Sequence, residues 1–169
     1  MESAMRGVWS TLQPLVEEHR AAFDDLQQSR DDLSKEGLEK RIVAVRRAFA
    51  ANRALDREYT AAPKKLSDLL RYEGFPDKDC SQAIIKEFPD QRLTKTTELR
   101  AAQKEFCAAL EGEARLLLAS IDRWTIHPKT GDLVFNKADD LQRYQRMHDA
   151  VLSIDQRQNA MLEAMKKQR

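Results

Sequence analysis

Apolar residues recur along the chain at alternating steps of four and three, the spacing that holds one stripe on a single face of a helix. The first stripe reads Leu12, Val16, His19, Phe23, Leu26, Arg30, Leu33. Pro14 falls near its start, and proline is harmless in a first helical turn, where N–H groups lack intrahelical partners. The pattern therefore predicts a helix beginning near residue 13, capped by Ser10 or Thr11. A second stripe, Leu38, Ile42, Val45, Phe49, Asn52, Leu55, Tyr59, predicts a helix that Pro63 brings to an end.

Between these stripes the phase slips by one residue across Ser34-Lys35-Glu36-Gly37, which holds a capping residue and a glycine. A hairpin and a single long helix with a phase slip both satisfy that interval. Charge favours the hairpin. Residues 8–33 carry six acids against two bases, net −4, and residues 38–60 carry six bases against three acids, net +3, a pairing that suits neighbouring helices.

Residues 61–91 are divided by Pro63, Gly74, Pro76 and Pro89 into two short helical pieces, at 66–72 and 77–88. Leu66, Leu69, Leu70, Tyr72, Phe75, Ile84, Ile85 and Phe88 make this connector too apolar to stay solvated, so it is expected to cap a bundle. A third stripe (Leu99, Gln103, Phe106, Leu110, Glu113, Leu117, Ile121, Trp124) predicts a helix from after Asp90 to about residue 124. A fourth (Tyr144, Met147, Val151, Ile154, Gln158, Met161, Met165) predicts a helix of similar length capped by Asn136. Between them, β-favouring residues flank Pro128 and Gly131 over 126–135, the signature of a small hairpin. The expected fold is all-α: one domain over residues 1–169, an elongated antiparallel bundle of three or four long helices packed like a coiled coil, with the short-helix connector at one end and a hairpin-like tip at the other.

Composition agrees, with only five glycines and five prolines in 169 residues and 34% charged side chains. The net charge of +1 supplies no overall field toward nucleic acid or an anionic membrane. Apolar runs such as 116–119 are far short of the roughly 20 residues that span a bilayer. The chain reads as soluble, cytoplasmic by default and periplasmic if a leader or anchor has been removed.

Recognisable chemistry is sparse. His19, His127 and His148 lack the Glu-x-x-His and His-Glu-x-x-His spacings of helical metal sites, and five isolated glycines form no phosphate loop, so no metal, nucleotide or other cofactor is expected. His19 lies on a core stripe and reads as a part-buried histidine bonded to a neighbour. Asp140, Tyr144 and His148 share one helix face and could form an acid, phenol and imidazole chain, although such neighbours are common in a charge-rich helix. Asn52, Gln103, Glu113 and Gln158 fall on stripes and are expected to pair with one another inside. Lys40, Arg41, Arg46, Arg47, Arg53 and Arg57 read as partners for the acidic first helix rather than as a nucleic-acid face. Lys166, Lys167, Gln168 and Arg169 read as complements to a helix C-terminus, and Met147, Met161 and Met165 as core filling.

These features favour a non-enzymatic scaffold or interaction module whose partner is another protein. The expected contact surface is Thr130, Leu133, Val134 and Phe135 in the hairpin with Tyr72 and Phe75 in the connector. Two alternatives carry their own residues. The soluble domain of an envelope-anchored protein would bridge Cys80 to Cys107 as a disulfide. A small-ligand site or enzyme between helices would use His148 and Tyr144 with Glu113 or Gln158.

Overall fold

The computed structural model describes residues 1–167, so Gln168 and Arg169 lie outside the described residues. Five helices and one small hairpin follow in order: α1 (Glu2–Gln28), α2 (Lys35–Tyr72), α3 (Asp77–Glu87), α4 (Asp90–Ala119), a single 3₁₀ turn (Ile121–Arg123), β1 (Trp124–Ile126), β2 (Leu133–Phe135) and α5 (Ala138–Lys166). The chain is an all-α bundle: α1 packs on α2, α2 on α4 and α4 on α5, with directions alternating along the series.

The interval between the first two stripes is a hairpin. The Ser34 side chain accepts a hydrogen bond from the Gly37 N–H at 3.0 Å, and the Asp32 carboxylate accepts one from the Ser34 N–H at 2.9 Å. Gly37 is required here, because a Cβ at that position would sit 2.5 Å from the Asp32 carbonyl oxygen. The opposed charges meet at Arg47, which pairs with Glu18 at 2.9 Å and with Asp25 and, through its hydrogen bond, holds the Glu18 carboxyl below its ordinary range.

Helix ends differ from expectation in four places. α1 starts at Glu2, so Pro14 lies in its interior, and α2 runs through Pro63 to Tyr72. A proline removes one N–H but leaves the surrounding turns bonded, and burial of Ala4, Val8 and Leu12 before Pro14, and of Leu66 and Leu70 after Pro63, holds both helices together across the gap. The 66–72 piece is thus the last part of α2. α4 ends at Ala119 rather than near residue 124: the Ser120 hydroxyl donates back to the Leu116 carbonyl at 2.7 Å, and the Trp124 indole N–H donates to the Leu117 carbonyl at 2.9 Å, folding the chain onto its own helix end. Asn136 does not cap α5. Its N–H donates to the Arg123 carbonyl at 2.8 Å and prolongs the hairpin, and α5 begins two residues later with Asp139 and Asp140 in its first turn.

Three apolar clusters fill the molecule from end to end. α3 closes one end, where Leu66, Leu70, Cys80 and Phe88 pack against Val8 and Leu12. Ala22, Leu26, Val45, Phe106, Leu110 and Val151 join α1, α2, α4 and α5 at the centre. Trp124, with Leu133 and Phe135 beside it, closes the other end on Leu38 and Leu117. The hairpin register sets Trp124 opposite Phe135 and Thr125 opposite Val134, so β2 turns Phe135 inward and Val134 outward.

Candidate functional site

The four polar stripe residues are buried, as their positions require, but they do not pair with one another. Two of them meet Arg100, and the other two meet neighbours of their own. Asn52 donates to the Arg100 carbonyl at 2.9 Å, and Gln158 donates to the Ala102 carbonyl at 3.5 Å. Gln103 accepts from Arg100 at 3.2 Å and lies 3.2 Å from the His19 ring nitrogen. Stripe positions fix which face of a helix a residue occupies; the partner depends on axial register between helices, which the spacing does not encode.

His19 is half-buried against Phe23, with Arg100 2.6 Å from its Nε2. Burial, and after it the Arg100 charge, push its pKa down to about 4, so the ring is neutral and accepts from the guanidinium.

Glu113 gathers the densest polar chemistry. Its Oε1 lies 2.7 Å from His148 Nδ1, and its Oε2 lies 3.8 Å from Arg41 Nη1. With a carboxylate oxygen as its partner, His148 Nδ1 carries a proton and donates it to Glu113 Oε1. The Tyr144 hydroxyl is 3.4 Å from the same Nδ1, its ring lies between His148 and Phe135, and burial followed by the Glu113 charge pushes its pKa up to about 12. Arg41 is 3% exposed and fixed by the end of α1: Nε donates to the Ser29 carbonyl at 3.3 Å, and Nη2 donates to the carbonyls of Arg30 and, at 3.5 Å, Asp32. It neutralises Glu113 and the negative end of α1 together. The anticipated chain through Asp140 is not made, because Asp140 turns to Arg123 at 3.0 Å and Glu113 takes its place from the facing helix.

These residues line a cleft of about 460 Å³ bounded by Gln27 on α1 and Arg30 in the turn after it, Arg41 on α2, Leu110 and Leu117 on α4, and Val151 on α5. Arg30 sits at its mouth, 5.5 Å above the Phe106 ring and 3.9 Å from Asp155. Among the described residues, no three His, Cys, Asp or Glu side chains converge as a metal site, and no helix is long and apolar enough to cross a membrane.

The remaining residues singled out by sequence divide by exposure. Thr130 is exposed in a turn closed by its contacts with His127 Nδ1, and Val134 and Tyr72 are exposed. Leu133, Phe135 and Phe75 are half-buried against the molecule's own clusters and so are largely committed inward. Cys80 and Cys107 are free thiols buried in different clusters, so the disulfide is not formed, and burial pushes the Cys107 thiol up to about 12. Of the basic set, Arg47 pairs with α1, Arg46 with Glu111 of α4 at 3.1 Å, and Arg57 with the adjacent Glu58 at 3.3 Å. Lys166 pairs with Glu163 at 2.7 Å, and Met147, Met161 and Met165 are half-buried.

Comparison with protein-family models, with curated proteins and with solved structures finds no match to this chain. The geometry of its own side chains is the basis for any functional reading.

Proposed function

We propose that the protein is a non-enzymatic interaction module that engages another protein chiefly through the end closed by α3. One observation carries this reading: Trp9, Leu69, Tyr72 and Ile85, drawn from α1, α2 and α3, are all exposed at that end, Tyr72 at 92% and Ile85 at 68%. Isolated exposed apolar residues are ordinary, but a group from three elements at one end of a charge-rich molecule is the composition expected of a binding face. The hairpin contributes a smaller patch, Ile126 and Val134.

The test places a photo-crosslinking residue at position 72, and in a second protein at position 134, and captures partners from the source cell. A single protein crosslinked at position 72, rebinding as a purified chain and losing at least about tenfold in affinity on Tyr72→Asp with Ile85→Asp, supports the reading. Crosslinking no stronger than that of a control probe on the charged face of α5 overturns it.

A further inference from the structure

A donor and an acceptor stand side by side in the cleft without being hydrogen-bonded. Arg41 uses Nε and Nη2 on backbone carbonyls, and Glu113 uses Oε1 on His148. That leaves Arg41 Nη1 and Glu113 Oε2, 3.8 Å apart, too far for a hydrogen bond with each other. Neither atom makes a hydrogen bond among the described residues, and both keep contact with the cleft. The side chains carrying them are 3% and 6% exposed, and Arg41 is tied to three carbonyls, so neither can swing out to bulk water. Buried charged groups held in this way favour whatever satisfies both together.

We propose that this cleft binds a small neutral molecule bearing a carboxamide, or an equivalent group that donates and accepts from adjacent atoms, on an apolar body. The amide N–H donates to Glu113 Oε2 while its carbonyl accepts from Arg41 Nη1. A carboxylate in the same place meets the Glu113 charge, and an ammonium meets Arg41, so each ion leaves one buried partner opposed. The cleft as a whole favours neither ion, since Arg30 and Arg41 balance Asp31 and Glu113 among its lining residues. Leu110, Leu117 and Val151 supply the apolar wall, and a volume of about 460 Å³ falls within the range of small-molecule sites, roughly 300–1,000 Å³. This site is separate from the α3 end and stands whether or not a protein docks there.

Three probes share one apolar body and differ in head group: benzamide, benzoate and benzylamine. Each is titrated into the ¹⁵N- and ¹³C-labelled full chain up to about 10 mM, where a ligand of millimolar Kd is mostly bound. The expected result is saturable shifts from benzamide confined to Leu110, Tyr144, His148 and Val151, with both ions at least about tenfold weaker. Gln27→Trp, at an exposed position on the rim, is expected to block the mouth and abolish those shifts with the fold intact. Equal responses to the three probes, shifts mapping elsewhere, no response to benzamide, or benzamide binding undiminished by Gln27→Trp would each overturn the proposal.

Discussion

At the scale of the residue, the buried polar positions decide how the helices sit together. His19 is half-buried among Phe23, Gln103 and Arg100, and its pKa of about 4 lies below the ordinary 6.5, so the unfolded chain takes up the proton first as pH falls. Its contribution to stability is therefore complete above about pH 6.5 and is lost as pH falls toward 4. Thermal melts should show the parent losing a few degrees more than His19→Gln between pH 7 and pH 4.5; parallel losses would contradict the neutral ring. Arg41 makes a sharper prediction. Arg41→Met strips the cap from the end of α1 and leaves the Glu113 charge without its cation, which should cost about 3–5 kcal/mol in urea unfolding, with Glu113→Gln in the same chain recovering part. The third stripe marked Glu113, and the helix face shared with Asp140 and Tyr144 marked His148, but only folding shows that Glu113, and not Asp140, is the acid beside the imidazole.

At the scale of the element, hydrophobic spacing located every long helix, and local chemistry misplaced several ends. Pro14 reads as a first-turn residue and Pro63 as a stop, because an isolated helix loses a bond at an interior proline; in the bundle, burial on both sides of Pro14 and Pro63 outweighs that loss. Ser120 and Trp124 ended α4 through side-chain bonds to its own carbonyls, which periodicity does not report. Two glycines test how far local space governs these elements. Gly37→Ala drives a methyl into the Asp32 backbone at the turn and should cost about 2–3 kcal/mol. Gly112→Ala meets only the flexible end of Met147, so it should stay within about 1 kcal/mol of the parent, where better helix propensity offsets the displacement. Chemical denaturation of the two variants side by side checks the contrast.

At the scale of the whole molecule, burial is uneven. α2 places eleven buried residues in the interior, and α5 only Asp140, Val151 and Gln158. Hydrogen exchange should accordingly show weaker protection along α5 than along the centre of α2, and equal protection would mean that α5 is held by more than its contacts with α4 and β2. The sequence by itself determined the class of fold, the order of the hydrophobic stripes along the chain, a small hairpin within 126–135 and the burial of Asn52, Gln103, Glu113 and Gln158, because hydrophobic period and turn residues are local properties of the chain. It also carried the charge match between α1 and α2, since the sign of a helix can be counted before its neighbour is known. Only the tertiary structure decided that the chain turns back at Ser34, that Arg41 leaves the basic face to cap α1, that the two thiols lie apart, and that Arg41 and Glu113 face each other across a cleft. Those outcomes depend on the axial register and separation of helices distant in sequence, quantities that packing sets and no stretch of sequence contains.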